Sequence, residues 1–185
     1  GIRDVERSRG LGDVYKRQTL CRQLMSGEEW SKVSDICIGG RRRQDSVAAG
    51  LHRLAGCDWV IIHDGARPLV TVDLIERGIE AARETGAAVA AVPVTDTIKV
   101  SAEDGTVHET PPRQNLWAVQ TPQVFRYKMI TQAHQKTNDD VTDDASLVEH
   151  LGYKVKLYMG SYNNIKITTP ADLALAEILW PEYER

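Results

Sequence analysis

The run Ile61-Ile62-His63-Asp64-Gly65-Ala66-Arg67-Pro68 ends an apolar stretch in an acid, two small residues, an arginine and a proline. It reads as a buried strand delivering the Asp64 carboxylate to a crevice at its carboxyl end, where open α/β sheets bind ligands. Gly65 and Ala66 would let a nucleotide or phosphate approach the backbone closely. A carboxylate there suits a hard divalent cation, which takes carboxylate and phosphate oxygens and keeps several waters. For an isolated Asp-Gly a plain strand and turn is the favoured account, so the rest of the chain must decide. His63, on the strand itself, reads as a satisfied core histidine and not as a catalytic base.

A second group is Gly39-Gly40-Arg41-Arg42-Arg43-Gln44-Asp45-Ser46-Val47. Two glycines at a strand end and a serine on the first turn of a helix offer backbone N–H groups and the helix dipole to an anion or a polar base edge. Taken alone, the same residues fit a Gly-rich turn with a solvated basic face over Arg41, Arg42 and Arg43.

Elements of alternating type must carry these residues. Residues 20–25 end a helix, 35–38 form a strand closed by Gly39-Gly40, and 44–54 form a helix. A strand over 59–63, a helix over 72–84 capped by Thr71, and an all-apolar strand over 87–94 follow. Later come a short strand at 123–125, helices at 127–135 and 144–151, and a strand at 154–158. A last helix starts at Ala171 behind Thr169-Pro170. Trp117 and the residues Leu173, Leu175, Ala176 and Leu179 of the last helix are expected in the core. The pattern predicts an α/β fold, with a mostly parallel sheet between two helical layers.

Between Asp96 and Thr110 the pattern changes. Thr97-Ile98-Lys99-Val100 and Thr106-Val107-His108-Glu109 flank Glu103-Asp104-Gly105, a hairpin signature with no helix attached. An isolated hairpin is marginal in water, so an arm over about 95–118 needs something to pack on, most simply a second copy of the chain.

Composition excludes several classes. At 42% hydrophobic and 26% charged, the 185 residues suit one soluble domain. No apolar run approaches the ~20 residues needed to cross a bilayer. A net charge of −3 and a single Phe argue against a nucleic-acid partner. Cys21, Cys37 and Cys57 are odd in number and lack paired spacing, which points to buried thiols in a reducing compartment, hence the cytoplasm. Residues 1–18 are charged, Gly-rich and aperiodic, and read as a non-native or disordered leader ahead of a single domain over 19–185.

Six motifs occur in order: Gly39-Gly40-x-x-Arg43-x-x-Ser46-Val47, His63-Asp64-Gly65-Ala66-Arg67-Pro68, Asp96-Thr97-Ile98-Lys99, Gln120-Thr121-Pro122-Gln123-Val124-Phe125, Thr142-Asp143-Asp144-Ala145-Ser146 and Asn164-Ile165-Lys166-Ile167-Thr168. Together they resemble the 2-C-methyl-D-erythritol 4-phosphate cytidylyltransferases of the non-mevalonate isoprenoid pathway, over roughly residues 37–179. The resemblance implies a Rossmann-like αβα fold, Mg²⁺ or another divalent cation, and transfer of CMP from CTP to methylerythritol phosphate with release of pyrophosphate. It implies nucleotide contacts at Gly39, Gly40, Ser46, Asp64, Gly65 and Arg67, with Gly40 and Ser46 at the cytosine and Asp64 at the metal. Arg113 and Lys166 would position the substrate phosphate, with Thr97, Thr121 and Thr142 as hydroxyl contacts. In the family the arms of two subunits embrace, so a homodimer is expected.

Each residue also has a plainer reading. Lys166 could be an exposed strand residue, Thr142 a helix cap, and Arg113 a loop charge. The family's first βα unit carries a Gly-rich loop with Arg and Pro-Lys that cradles the triphosphate, and 1–185 contains no such unit after an apolar strand. Gly10-Leu11-Gly12 with Lys16-Arg17-Gln18 is a chance likeness. The chain is therefore expected to be N-terminally truncated, to show little or no turnover, and to expose apolar sheet surface. The alternatives are a ribitol 5-phosphate cytidylyltransferase, against which Asp143-Asp144-Ala145-Ser146 and Ala66 speak, and a non-catalytic dimerisation module.

Overall fold

The computed structural model describes residues 19–23, 25–26, 33–54, 56–137 and 140–180. The leader expected at 1–18 lies outside them. Residues 19–23 are helical, as the end of the first expected helix requires.

Helix α1 (Arg43–Leu51) precedes strand β1 (Trp59–Ile62), helix α2 (Val72–Thr85) and strand β2 (Ala87–Pro93). Thr71 caps α2 by accepting from the Leu74 N–H, and Gly86 ends it at φ 86°, a left-handed conformation that glycine adopts freely. The arm carries β3 (Val100–Ser101) and β4 (Val107–Glu109), and a 3₁₀ turn (Arg113–Asn115) leads back into β5 (Trp117–Arg126). Helices α3 (Tyr127–Lys136) and α4 (Asp144–His150), strand β6 (Lys156–Met159) and helix α5 (Pro170–Leu179) complete the order.

Four strands form one sheet in the order β1-β5-β2-β6. β2 pairs with β6 in parallel, while β5 runs antiparallel to both β1 and β2. The sheet is thus mixed: β1, β2 and β6 share a direction, and β5 is inserted against them. β5 is ten residues long where the sequence suggests three, because its first half pairs with β2 beyond a bulge between Val89 and Ala91. Residues 120–122 of β5 lie at that irregularity.

Alternation along the central strands builds two cores. Ala87, Val89 and Phe125 pack with Val47, Leu51, Ile130, Leu147 and Val148 under α1, α3 and α4. Ala88, Ala90 and Val124 pack with Leu74, Ala82 and Tyr158 under α2. β2 is buried on both faces, which is why its sequence is continuously apolar. These are the two helical layers of an αβα sandwich.

Two expectations fail. Residues 35–38 form no strand: the Ile36 N–H goes to the Asp35 carboxylate and the Ile36 carbonyl to Arg22, in place of ladder partners. The apolar residues of α5 are not a core face, since Leu173 and Leu175 are exposed and only Ala176 is buried. They are distributed around the helix and form no single stripe. Trp117 is half-buried. Ile61 on β1, and Leu157 and Met159 on β6, leave apolar surface exposed on the outer strands. The hairpin is a separate two-stranded sheet with Gly105 at φ 81° in its turn, as expected.

Candidate active site

Asp64 lies just past the end of β1, separated from it by His63, and is 4% exposed. The turn that holds it is closed by the Arg67 N–H donating to the Asp64 carbonyl at 2.9 Å. Its own N–H donates to Thr121 Oγ1 at 3.0 Å, so the adjacent strand β5 fixes the start of the turn. Thr121 Oγ1 also lies 3.0 Å from His63 Nδ1, and His63 Nε2 lies 2.9 Å from the Arg67 carbonyl. A carbonyl only accepts, so Nε2 carries the proton and Nδ1 receives the threonine hydroxyl. Burial holds the His63 pKa below the ordinary histidine value, which favours this neutral tautomer, and the ring braces the turn from both nitrogens.

A second loop closes on the first. The Ile167 N–H donates to the Ala66 carbonyl at 2.8 Å, and Arg67 Nη1 donates to the Asn164 carbonyl at 2.7 Å. Asn164, fully buried, donates to the Thr121 carbonyl at 2.8 Å and to Gln120 at 3.3 Å. This zipper brings Lys166 Nζ to 3.1 Å from Asp64 Oδ2.

Arg43 Nε at 3.6 Å and Arg67 Nε at 3.8 Å complete a ring of three cations around one carboxylate. Burial alone would push the Asp64 carboxyl up. The Lys166 hydrogen bond and the charges of Lys166, Arg43 and Arg67 outweigh it, and the group stays below the usual carboxylate range. Burial also lowers the pKa of Arg67, against the opposing pull of Asp64.

These residues line a cavity of about 370 Å³ off the end of β1 and the bulge of β5. The structure gathers Asp64, Arg67, Thr121, Thr142 and Lys166 there from separate motifs. It adds Arg43, Gln120, Gln123 and Asp143, to which the sequence assigns no role. The basic run suggests a solvated face over all three arginines, yet only Arg41 and Arg42 are exposed; Arg43, at the first position of α1, turns inward. Its place in the motif Gly39-Gly40-x-x-Arg43 is the signal that could have found it. Thr142 is not the cap of α4: Asp143 is, accepting from the Ser146 N–H at 3.1 Å.

Other expected site residues lie elsewhere. Gly39, Gly40 and Ser46 form a turn at the start of α1, where the Gly40 N–H donates to Ser46 Oγ at 3.0 Å and Ser46 Oγ donates to the Arg42 carbonyl at 3.3 Å. Gly65 is exposed beside Asp64. Thr97 and Arg113 are exposed on the arm, with Arg113 Nη1 donating to the Thr95 carbonyl.

A single carboxylate can hold a divalent cation only with help from a ligand. Asp64 Oδ1 is buried and has no hydrogen-bond partner, which leaves one hard oxygen donor available. Among the described residues no cluster of three or more His, Cys, Asp or Glu side chains could hold a metal ion. What these residues offer a divalent cation is this one oxygen, and its remaining ligands would have to come from bound groups or water.

Comparison with known proteins shows the family. Residues 14–181 match the family model of 2-C-methyl-D-erythritol 4-phosphate cytidylyltransferase. The chain is similar to a protein of that name from Dehalococcoides mccartyi strain 195, 52% identical over 85% of this chain and 70% of the relative. A second, from Alkaliphilus oremlandii, is 51% identical over 91% of this chain and 72% of the relative. The Thermus thermophilus structure of that name superposes with a TM-score of 0.70 at 42% identity, over 77% of this chain and 71% of that one. The 4-diphosphocytidyl-2C-methyl-D-erythritol synthase structure from Anaerococcus prevotii gives 0.79 at 31% identity, over 90% and 75%. With the match running through all four strands of the sheet and both loops of the cavity, the chain belongs to the 2-C-methyl-D-erythritol 4-phosphate cytidylyltransferase family of the isoprenoid pathway.

Proposed function

We propose that this chain carries the family's reaction site, in which a phosphate oxygen of methylerythritol 4-phosphate attacks the α-phosphorus of CTP and pyrophosphate leaves. The observation that carries this reading is the cavity in which Lys166, Arg43 and Arg67 surround Asp64. Two anions must meet for the reaction, and closely placed cations offset their repulsion. A phosphate dianion is already nucleophilic, so no general base is required of His63. Lys166 positions the sugar phosphate, and Thr142 at the cavity wall offers it a hydroxyl. Thr121, whose hydroxyl is engaged by Asp64 and His63, acts by holding the Asp64 turn. The nucleotide side takes Asp64, Gly65 and Arg67, with Gly39, Gly40 and Ser46 at the base. Asp64 Oδ1 would hold Mg²⁺ or another divalent cation, which would neutralise charge on the triphosphate.

Thr97 and Arg113 belong to this reading only through a second subunit. The arm exposes Val107 and Val100 on a separate two-stranded sheet, and in a homodimer it would bring both residues to the partner's cavity. Among the described residues no helix is long and apolar enough to cross a membrane. With three unpaired cysteines, the proposed location is the cytoplasm.

The test is calorimetric binding of CTP with Mg²⁺ and of methylerythritol 4-phosphate, with ribitol 5-phosphate offered in parallel, followed by pyrophosphate release. Binding of methylerythritol phosphate that falls in Lys166→Ala supports the reading; preferential binding of ribitol phosphate overturns it.

A further inference from the structure

Arg43 stands between two buried carboxylates. Its Nη1 donates to Asp144 Oδ2 at 2.6 Å, while its Nε lies 3.6 Å from Asp64 Oδ1, too far for a hydrogen bond. Asp144 is fully buried at the start of α4 and takes a second contact, from His134 Nε2 of α3 at 3.1 Å. Neither Asp144 nor His134 lines the cavity; of the three, only Arg43 does.

A buried carboxylate is costly unless it is paired. Burial would push the Asp144 carboxyl up, but the His134 hydrogen bond and the Arg43 charge hold it below the usual range. Asp144 therefore competes as an anion with Asp64 for the same guanidinium. It prevails, since its contact is the shorter one and its oxygen accepts along a direct hydrogen bond. Were Asp144 neutral, Asp64 would be the carboxylate already nearest the Arg43 Nε, at 3.6 Å, whereas the Asp143 carboxylate of the same cavity is taken by Ser146 and Gln123. The guanidinium would then settle on Oδ1, which now has no hydrogen-bond partner.

We propose that Asp144, braced by His134, is a positioning residue that holds Arg43 off the Asp64 carboxylate. In this way Asp64 Oδ1 stays available as an acceptor for a cation, and the Arg43 charge stays available to a phosphate. The nature of those ligands rests on the function proposed above; the geometry of Arg43 does not.

Two readouts separate the proposal from that function. The first is the Arg43 Nε–H signal in ¹⁵N NMR of the free protein. Asp144→Asn is expected to move it to the position of a group bonded to carboxylate, and a further Asp64→Asn change to reverse that move. A signal unaffected by Asp144→Asn overturns the proposal whether or not CTP binds.

The second is binding of CTP with Mg²⁺, compared with inorganic phosphate as a simple anion probe. Asp144→Asn should weaken both by about tenfold, the scale of one charge-assisted contact. Adding Arg43→Ala should restore the Mg²⁺-dependent part of CTP binding while leaving phosphate weak. A purely structural role for Asp144 predicts no such restoration, and its failure overturns the proposal. Should Asp144→Asn not fold, His134→Gln loosens the same carboxylate and must move the Arg43 signal in the same direction by a smaller amount; no movement counts against the proposal.

Discussion

Lys166 Nζ and Asp64 Oδ2, carried by two loops at the open end of the sheet, meet at 3.1 Å across the cavity. The contact is asymmetric in its surroundings. Asp64 has two further cations near it, whereas Lys166 is a third exposed and can turn to water. Removing the acid takes the shared anion from three cations, of which Arg43 alone keeps another carboxylate, Asp144; removing the lysine leaves the acid with two cations. Asp64→Asn should therefore cost more stability than Lys166→Met, about 1–3 kcal/mol against under about 1 kcal/mol. Urea denaturation of both variants checks this, and a larger loss for the lysine variant would show that the ring of charge is not centred on Asp64.

Thr121 is the hinge between β5 and the Asp64 turn. Its hydroxyl accepts the buried Asp64 N–H and faces His63 Nδ1, so Thr121→Val, nearly equal in shape, leaves both without a partner. An unsatisfied buried N–H costs about 1–3 kcal/mol. Thr121→Ser keeps the oxygen and should recover most of that loss. Equal destabilisation by valine and serine would mean that the methyl group, and not the hydroxyl, holds the turn.

The turn before α1 depends on a close approach that only glycine permits. A Cβ on Gly40 would lie 2.2 Å from the Asp45 Cβ, while one on Gly50 meets nothing within 4 Å. Gly40→Ala should therefore destabilise by about 1–3 kcal/mol. Gly50→Ala, in the last turn of the same helix, should stabilise by about 0.5 kcal/mol through helix propensity and reduced unfolded-state freedom. Opposite signs in thermal unfolding are the expected result. A neutral Gly40→Ala would mean that the turn can open, and would remove the geometric case for its fixed shape.

What could be read from the sequence divides by the range of the interactions. The αβα class, the cap at Thr71, the hairpin turn and the strand that delivers Asp64 follow from local periodicity and capping chemistry, and they stand. The antiparallel course of β5 does not follow, because a strand's direction depends on where its partners lie and not on its own pattern. Arg43 escapes notice for the same reason: beside two other arginines it looks solvated, and only Asp144, brought in by α4, explains why it turns inward. The apolar residues of α5 mislead in the other direction, since an apolar composition without one stripe does not say which face is covered.

The start of α5 yields a pH prediction with a definite sign. The Asp172 carboxylate accepts from the Thr168 N–H at 2.9 Å, the Thr168 hydroxyl at 2.9 Å and the Thr169 N–H at 2.7 Å. Thr169 Oγ1 accepts from the Asp172 N–H in return, closing a capping box. These donors, the Thr168 N–H first among them, hold the Asp172 pKa down to about 2. In the unfolded chain the group titrates near ~3.9. A depressed folded value means that the contribution is complete above ~4 and is lost as pH falls toward 2, since only the carboxylate accepts all three bonds. The carboxyl ¹³C signal of Asp172 should thus titrate near 2, and amide exchange in the first turn of α5 should accelerate over the same interval. In Asp172→Asn that acceleration should be absent and exchange already fast at neutral pH. A midpoint near ~4 with an unchanged first turn would mean that the three bonds are not held in solution, and that α5 is kept in place by Ala176 and its neighbours alone.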